Sequence, residues 1–400
     1  MKGNIMVKNQ VKMYEHYCTG CGLCHSSNGV KLKANEKGFF VPKLNSNIIS
    51  NFCQKVCPAN GISTNEERSN IWGNYVHTYS GYSNDETLRY KSSSGGALSE
   101  IASYLLETKK VDGVIHIFVT DKDPISTKTF CSITRSEIIE RCGSRYITSS
   151  PLYDIYSKVE KGKKYAFIGR PCDIVALKNY MHEFKTFENE IIYTLSFFCA
   201  GTPSRAANVN LIKDMGCSVQ NCMSFKYRGD GWPGYATAVD KEGNKYKAEY
   251  NIAWGKYLGR DIMPICRLCT DGIGKVADIT CADLWYLNSE GKPDFSEHNG
   301  RNVIFTRTSK GDSLLQEIAS SNRMTLDYYD EKMKDFYLIQ THQFDRTITL
   351  YSQILAMKLL GRKYPNYNVR TLKNFSELAT LKRKCKIFFG TIKRIVQRKI

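Results

Sequence analysis

The chain has 400 residues, of which 42% are hydrophobic and 24% charged, so it is predicted to form an ordinary globular protein of two or three domains rather than a disordered or fibrous one. It holds no run of roughly 18 apolar residues and no cleavable signal segment, which excludes a predicted membrane span and indicates a cytoplasmic protein. The formal net charge of +18 favours polyanions, acidic proteins, anionic cofactors or an anionic membrane surface as partners.

Cysteine is abundant in this chain, with fifteen residues, an odd number. An odd count in a protein without a predicted export signal does not fit a framework of disulfides. Reduced thiols that serve as metal ligands fit better.

The first motif is a CxxCxxC run formed by Cys18, Cys21 and Cys24, and a Cys-Pro pair follows at Cys57 and Pro58. Three thiolates at this spacing plus one from a later loop are typical of a 4Fe-4S cluster. Zinc is the main alternative, although structural zinc sites usually take two separated pairs of ligands. Unligated cysteines are the third possibility.

The same segment holds only part of a second ferredoxin motif. The residues after Cys24 contain no Cys-Pro, and the second half of the segment keeps Cys53 and Cys57 alone. The sequence therefore predicts one cluster in the N-terminal module.

The first domain boundary is predicted between Glu66 and Asn70, where the sequence pattern changes. Residues 1–68 are rich in turns and cysteine, with one clear extended piece over Gly38–Pro42, and are predicted to be a small cluster-binding module. From Trp72 onward, strands alternate with amphipathic helices, which predicts an α/β fold with a largely parallel sheet over residues 69–340. Residues 341–400 are predicted to form a basic helical C-terminal region.

Hydrophobic periodicity locates the main elements of the second domain. The predicted helices lie over Ala97–Lys109 and Pro151–Glu160, from the turn at Gly169–Cys172 through Leu177, and after Ser204, and the predicted strands lie over Val111–Val119, Lys164–Ile168 and Ile191–Phe198.

Two glycine-containing loops are candidate phosphate sites. Ser92–Gly96 precedes the first of these helices, so hydroxyls and free backbone NH groups would converge where the helix dipole favours an anion. An ordinary turn that caps a helix is the alternative interpretation. Gly143–Tyr146 offers a similar loop with a cation, and Phe225–Trp232 adds cations beside aromatic rings that could stack on a planar cofactor or simply pack in the core.

Four further cysteines are predicted to meet at one edge of the sheet. Cys172 and Cys199 each follow a strand and precede a helix, and ligands in open α/β sheets bind beyond the carboxyl ends of strands. A helix N-terminus also favours thiolate over thiol. With Cys266 and Cys269 from a CxxC, they are predicted to bind a second 4Fe-4S cluster, with Cys281 as a substitute ligand. Buried, unligated cysteines are the alternative.

The C-terminal tail is strongly basic, with eight Lys or Arg and no acidic residue over Leu381–Ile400. Phe388, Ile392 and Val396 recur every four residues, beside Ile387 and Ile395, which predicts a helix with one apolar side. Such a helix could lie on an anionic bilayer as a peripheral membrane contact, or dock on the protein itself, which is the favoured interpretation. No nucleic-acid-binding motif is present, so nucleic acid is not a predicted partner.

These segments together resemble the beta subunit family of coenzyme F420 hydrogenases and dehydrogenases. The similarity covers roughly the first three quarters of the chain, and its joint pattern is far more specific than any one motif. The matching segments are CTGCGLC at 18–24, CPANGI at 57–62, SSSGGA at 92–97, CGSRYITS at 142–149, GRPCDIVALK at 169–178, FFCAGTPS at 197–204 and CRLCTDGIGKVADITCADLWYL at 266–287.

The resemblance implies a ferredoxin-like 4Fe-4S module joined to an α/β flavin-binding domain. FAD would pass electrons between iron-sulfur centres and an organic two-electron acceptor, with a ferredoxin or a partner subunit as redox partner. No catalytic side chain is implied, because the flavin would perform the hydride step. The residues implied to hold the flavin nucleotide are Ser93, Ser94, Gly95, Gly96, Gly143, Ser144 and Arg145, with Lys226 as a further nominee.

The chain departs from the family pattern at Ala282, where glycine is usual, and at Arg170 and Asp173, where Thr and Gln are commoner. Members also occur in bacteria that lack the deazaflavin coenzyme, including beside surface-polysaccharide genes, so the acceptor stays open. Two other hypotheses remain: a non-catalytic electron-transfer subunit of a larger complex, and a zinc-stabilised binding protein that uses its positive charge on nucleic acid or another polyanion.

Overall fold

The computed structural model describes residues 11–60, 70–120 and 122–397, and its centre is an eight-stranded sheet. The strand order is β13-β3-β12-β11-β7-β6-β4-β5. The strands of the described residues are β1 Leu32–Ala34, β2 Phe40–Pro42, β3 His77–Ser83, β4 Gly113–Thr120, β5 Asp123–Ser132, β6 Tyr165–Ile168, β7 Ile191–Phe197, β8 Cys222–Lys226, β9 Tyr235–Asp240, β10 Lys245–Glu249, β11 Ile279–Asp283, β12 Asn302–Thr306 and β13 Met324–Tyr328.

The sheet is mixed, so the prediction of a largely parallel sheet is wrong at its edges. The four central strands β11, β7, β6 and β4 run parallel, whereas β5 on one side and β12, β3 and β13 on the other pair antiparallel. Strands β4 and β5 are separated by only two residues along the chain, and only an antiparallel pair allows so short a separation. Hydrophobic periodicity reports that a segment is a strand but not its direction.

The predicted helices are present, but the helix predicted to run through Leu177 continues to Phe184, and Pro151–Glu160 contains a single four-residue helix. The longer helices are α1 Leu23–Asn28, α2 Glu86–Lys91, α3 Ala97–Glu107, α4 Arg135–Arg141, α5 Ile155–Lys158, α6 Pro171–Phe184, α7 Arg205–Asp214, α8 Pro264–Arg267, α9 Ser309–Ser320, α10 Phe336–Ile339, α11 Thr341–Leu359, α12 Val369–Ser376 and α13 Leu381–Val396. Short α, π or 3-10 turns cover Ser46–Ile48, Ile49–Cys53, Gln54–Val56, Pro58–Asn60, Tyr250–Ile252, Ala253–Tyr257, Leu258–Arg260 and Asp330–Asp335.

Both faces of the sheet are covered, because neighbouring strand residues point to opposite sides. Val114 and Ala166 pack in one core with α3 and α9, whereas Ile115 and Phe167 pack in another with α6 and α11. The described N-terminal residues belong to this second core, to which they contribute Leu23, Phe52 and Val56 among others. The first cysteine motif therefore lies on the α6 side of the sheet. Of the predicted boundary at 66–70, residues 66–69 lie outside the described residues.

Two smaller sheets complete the fold: β1 pairs with β2, and β10, β9 and β8 form a three-stranded antiparallel sheet with its own core. In the part of the chain that the structure describes, no helix is both long and apolar enough to cross a membrane.

The C-terminal helix α13 packs against α11, as the favoured interpretation expected, through much of the predicted apolar side: Ile395 is buried, and Ile387, Phe388 and Ile392 are half-buried. Thr391 and Ile395 are buried, whereas Val396 is 71% exposed. The Thr391 hydroxyl donates to the Ile387 carbonyl at 2.8 Å, so this polar residue can occupy the docked face. Residues 398–400 of the predicted helix lie outside the described residues.

Candidate functional site

Five cysteines line a single cavity in the N-terminal module. Cys18 and Cys21 lie before α1, Cys24 lies within it, and Cys53 and Cys57 follow from the helical turns over residues 49–57. All fifteen cysteines of the chain are free thiols. The four predicted ligands are thus brought together, and Cys53, which the sequence left without a role, is beside them.

The chain can wrap around this cavity because Gly22 adopts a left-handed conformation. Its φ is +90°, and a Cβ there would lie 2.7 Å from the backbone nitrogen of Tyr153. The backbone NH of Gly20 donates to the sulfur of Cys18 at 3.2 Å, which is the kind of NH to sulfur bond that supports cluster ligands.

The thiols of this cavity are held protonated by their surroundings. Burial, together with the negative charge that Cys21 would carry as a thiolate, raises the pKa of Cys18 to about 12. Burial likewise raises the pKa of Cys53 to about 12 and raises that of Cys57 well above its ordinary value. A metal centre that replaces these protons removes the penalty, so metal binding here would be coupled to release of protons.

The four cysteines predicted to bind a second cluster also line one cavity. Cys172 is at the N-terminus of α6, Cys199 follows β7, Cys266 lies in α8 and Cys269 lies just beyond it. The backbone NH of Thr202 donates to the sulfur of Cys266 at 3.4 Å. The ends of strands β6 and β7 thus place two of these cysteines at the cavity, and the CxxC segment places the other two.

The expectation that a helix N-terminus would lower the pKa of Cys172 is not met. Burial and the carboxylate of Asp173 raise that pKa well above its ordinary value. Burial and the neighbouring Cys266 raise the pKa of Cys199 to about 12. Desolvation of a fully enclosed thiolate therefore outweighs the helix dipole here.

A buried ion pair lies near both cysteine cavities, close enough for its charges to act on their thiols. Arg170 Nε is 2.8 Å from Asp173 Oδ2 and Nη2 is 2.8 Å from Oδ1, while Nη1 donates to Thr202 and Nη2 to the carbonyl of Ser149. Arg170 and Asp173, two of the three departures from the family pattern, therefore form one ion pair in which each charge compensates the other. Burial is the largest influence on the pKa of each nearby thiol, and the charge of Arg170 opposes it at Cys18, Cys21, Cys172 and Cys199.

A third cavity of about 600 Å³ lies beyond the carboxyl ends of β6, β7 and β11. This is the edge at which open α/β sheets bind ligands, and the volume is in the range of cofactor sites. Of the residues predicted to hold a nucleotide, those that line the cavity are Ser93, Ser94, Gly96, Gly143, Ser144 and Arg145.

The two predicted loops meet at the N-terminus of α3. The backbone NH of Ser144 donates to Ser93 Oγ at 2.6 Å, and Gly96 caps the helix with φ +76°. Arg145 donates to the carbonyl of Ser144 at 3.0 Å, but its Nε is buried with no hydrogen-bond partner within the described residues. An unpaired buried donor beside a helix N-terminus fits a phosphate group.

Two predicted nucleotide residues do not line this cavity. Gly95 packs against β12, where a Cβ would lie 2.8 Å from Arg301 Cα, and Lys226 Nζ pairs with Asp230 at 2.7 Å at the end of β8. Cys281, the substitute ligand, lines the 600 Å³ cavity and not the second cysteine cavity.

An aromatic wall on the 600 Å³ cavity escaped the sequence analysis. Trp285 and Tyr250 are stacked at 5.6 Å between ring centroids, and Arg228 lies 4.7 Å from the Tyr250 ring. Asp283 holds this arginine with two bonds of 2.9 and 3.0 Å. The signal was available in the Asp-x-Trp that ends β11. Trp232 itself is a buried residue that stacks on Trp285, as core packing predicts.

Among residues 11–60, 70–120 and 122–397, no three His, Cys, Asp or Glu side chains stand ready to hold a single metal ion. The donor chemistry of the two cysteine cavities nevertheless fits an iron-sulfur cluster, because each offers at least four thiols. Thr270 Oγ1 lines the second cavity and is buried without a hydrogen-bond partner in the described part of the chain. A hydroxyl of this kind can donate to a cluster sulfide.

The fold and its cavities define a mixed α/β protein with a cofactor-sized cavity at the carboxyl edge of its parallel strands, adjoined by cysteine sites. Two family models match the chain. The model for the N-terminal part of the coenzyme F420 hydrogenase/dehydrogenase beta subunit matches residues 78–156, and the model for its C-terminal part matches residues 162–332. The chain belongs to this family of oxidoreductase subunits, which confirms the resemblance seen in the sequence.

Individual relatives are distant. Coenzyme F420 hydrogenase subunit beta of Methanococcus voltae is 22% identical over 301 residues, which cover 74% of this chain and 99% of that protein. Coenzyme F420-dependent sulfite reductase of Methanocaldococcus jannaschii is 22% identical over 341 residues, covering 80% of this chain and 49% of that protein.

A chain of the F420-reducing NiFe hydrogenase complex from Methanosarcina barkeri superposes with a TM-score of 0.59 at 20% identity. The match covers 76% of this chain and 100% of that chain, and it shows a shared fold.

Proposed function

We propose that this chain is an iron-sulfur flavoprotein oxidoreductase of the cytoplasm that moves electrons between a low-potential donor and an organic two-electron acceptor. The donor would be a ferredoxin-like protein or a partner subunit. Membership of the hydrogenase/dehydrogenase beta subunit family supports an electron-transfer role. The three cavities adjoin one another, which is the reason to propose that the clusters and the flavin form one electron-transfer path.

The observation that carries the proposal is that the three cavities share walls. Thr19 and Pro58 line both cysteine cavities, and Cys199 lines both the second cysteine cavity and the 600 Å³ cavity. The cavities therefore form a series from the N-terminal module to the carboxyl edge of the sheet. A series of redox groups requires such an arrangement, whereas isolated structural zinc sites do not.

Each cavity has residues for one group. One 4Fe-4S cluster would be held by Cys18, Cys21, Cys24 and Cys57, and a second by Cys172, Cys199, Cys266 and Cys269. FAD would occupy the 600 Å³ cavity, with its phosphates at the Ser93 and Ser144 loops. A bound flavin supplies the chemistry that joins hydride transfer to single-electron transfer.

The side chains of the 600 Å³ cavity bind and orient rather than react. Arg145 would balance phosphate charge with its unpaired Nε, and Trp285 and Tyr250 offer flat apolar faces to a ring system. Asp283 is already engaged by Arg228 and Trp232, so it is held as a structural carboxylate. Because two relatives are named for coenzyme F420, that deazaflavin is the first acceptor to test.

A second candidate is a non-catalytic electron-transfer subunit, whether or not it serves surface-polysaccharide synthesis. It is favoured by the structural match to a chain of a multi-subunit hydrogenase complex. Such a subunit would hold the clusters yet perform no hydride chemistry alone.

The test is to measure iron, acid-labile sulfide and flavin per chain on protein purified without oxygen, and then turnover with a viologen and coenzyme F420. Roughly eight iron and one flavin with turnover support the proposal. The same content without turnover supports the relay subunit. Roughly four iron would remove the second cluster, and a colourless zinc protein would overturn the proposal entirely.

A further inference from the structure

The family models end at residue 332, so the C-terminal helices α10–α13 lie outside the residues that these models match. This region carries most of the net positive charge of the protein. Residues 351–400 contain thirteen Lys or Arg and one acidic residue, Glu377, and so supply twelve of the eighteen net positive charges. A concentration of positive charge in a region outside the family models favours an anionic partner.

One side of α13 is fixed to the protein, which determines what the other side presents. Thr391 and Ile395 are buried against α11, and Arg383 Nε donates to Asp345 of α11 at 2.7 Å. The helix cannot turn its exposed side chains inward without breaking these contacts. The opposite side is therefore a permanent feature of the surface.

The exposed side of α13 combines apolar and basic side chains. Phe389 is 64% exposed, Val396 71% and Leu381 76%. At 100° per residue, Phe389 and Val396 lie within about 20° of each other around the helix axis, and the exposed residues Lys382, Lys386 and Lys393 lie immediately beside them. The strip from residue 381 to 396 is about 22 Å long.

We propose that this exposed side of α13 binds an anionic lipid bilayer and holds the protein at a membrane surface. Large apolar side chains that are flanked by lysines match the interface of a bilayer, where apolar groups enter the acyl boundary and ammonium groups meet lipid phosphates. A nucleic acid or an acidic protein surface would use the lysines but would leave Phe389 in water. The absence of any acidic residue over Leu381–Val396 leaves nothing to repel lipid headgroups.

Flotation of the full, cofactor-loaded chain with vesicles tests this surface. Vesicles of phosphatidylcholine with phosphatidylserine are compared with vesicles of phosphatidylcholine alone. The triple variant Lys382→Glu, Lys386→Glu and Lys393→Glu should bind the anionic vesicles at least tenfold more weakly, because each lysine near such a surface contributes about a factor of five. Replacing Phe389 and Val396 by serine should weaken binding by about tenfold, since acyl contacts are lost.

A matched control distinguishes the effect of this surface on vesicle binding from the effect of overall charge. The triple variant Lys161→Glu, Lys241→Glu and Lys245→Glu changes the net charge equally at exposed lysines elsewhere and should float like the unaltered chain. Equal flotation of the α13 lysine variant and this control would overturn the proposal. So would binding that depends on the lysines but not on Phe389 and Val396, because that pattern describes a general polyanion. The melting temperature of each variant shows that the fold is intact, and neither the flotation nor its outcome depends on the redox proposal.

Discussion

The two cysteine cavities lie side by side but are built in different ways. The first takes three of its cysteines from seven consecutive residues, and its wall is largely apolar, with Tyr14, Leu23 and Phe52. The second takes its cysteines from positions 172 to 269, at the ends of separate elements, and its wall includes Asp271 and Arg346. A local loop therefore shapes the first site, whereas the sheet itself assembles the second.

This difference predicts how each site fails. Damage to the first should stay within the N-terminal module, because its ligands belong to one short segment. Damage to the second should reach the 600 Å³ cavity, because Cys199 belongs to both. The ion pair of Arg170 and Asp173 lies near both sites, and the charge of Arg170 acts on thiols of each.

The largest effect is expected from removing ligands. Replacing Cys266 and Cys269 by serine should remove about four iron per chain and lower turnover at least a hundredfold, while the first site keeps its iron. Replacing Cys18 and Cys21 should remove the other four. Iron analysis and low-temperature EPR of the reduced proteins measure both.

The control for these variants is Cys281→Ser, which should retain all the iron because Cys281 lies outside the second cysteine cavity. Unchanged iron after the loss of Cys266 and Cys269 would show that the second cavity binds no cluster. Loss of iron in Cys281→Ser would instead return that residue to the ligand set.

The next effect concerns the buried ion pair. Arg170→Thr or Asp173→Gln alone should destabilise the protein by about 3–5 kcal/mol, because each leaves a buried charge without its partner. The double variant, which has the residues that are commoner in the family, should be more stable than either single variant. Thermal unfolding followed by circular dichroism, at the same cofactor content for each protein, measures the stability of the three variants.

Lys163→Met, which breaks the exposed pair with Glu160, is the matched control and should leave the melting temperature unchanged. Additive losses in the double variant would contradict the view that the two departures from the family pattern compensate each other.

The smallest effect is expected at the backbone of the first site. Gly22→Ala should destabilise the N-terminal module by at least about 2 kcal/mol, because a left-handed φ of +90° is combined with a clash against Tyr153. Gly29→Ala is the control, with φ +65° and no atom within 4 Å of the new Cβ, and should cost about 1 kcal/mol. Iron retention during slow heating compares the two, and equal retention would show that the Gly22 turn does not shape the site.

Much of the fold could be predicted because its signals are local. The helix at Ala97–Glu107 and the strand at Ile191–Phe197 follow from hydrophobic periodicity within one segment. The mixed direction of the outer strands could not be predicted in this way, because direction depends on how distant segments pair. The burial of Thr391 on the docked face of α13 was also missed, because it depends on the surface of α11.

By itself the sequence determined the CxxCxxC site, the main helices and strands, and the placement of Cys172 and Cys199 at strand ends, since each depends on short-range spacing or on the rule that parallel strands end at one edge. Only the tertiary structure decided that the three cavities share walls and that Arg170 and Asp173 form one pair. It also decided that Trp285 and Tyr250 face a common cavity, because such contacts join residues whose separation along the chain carries no periodic signal.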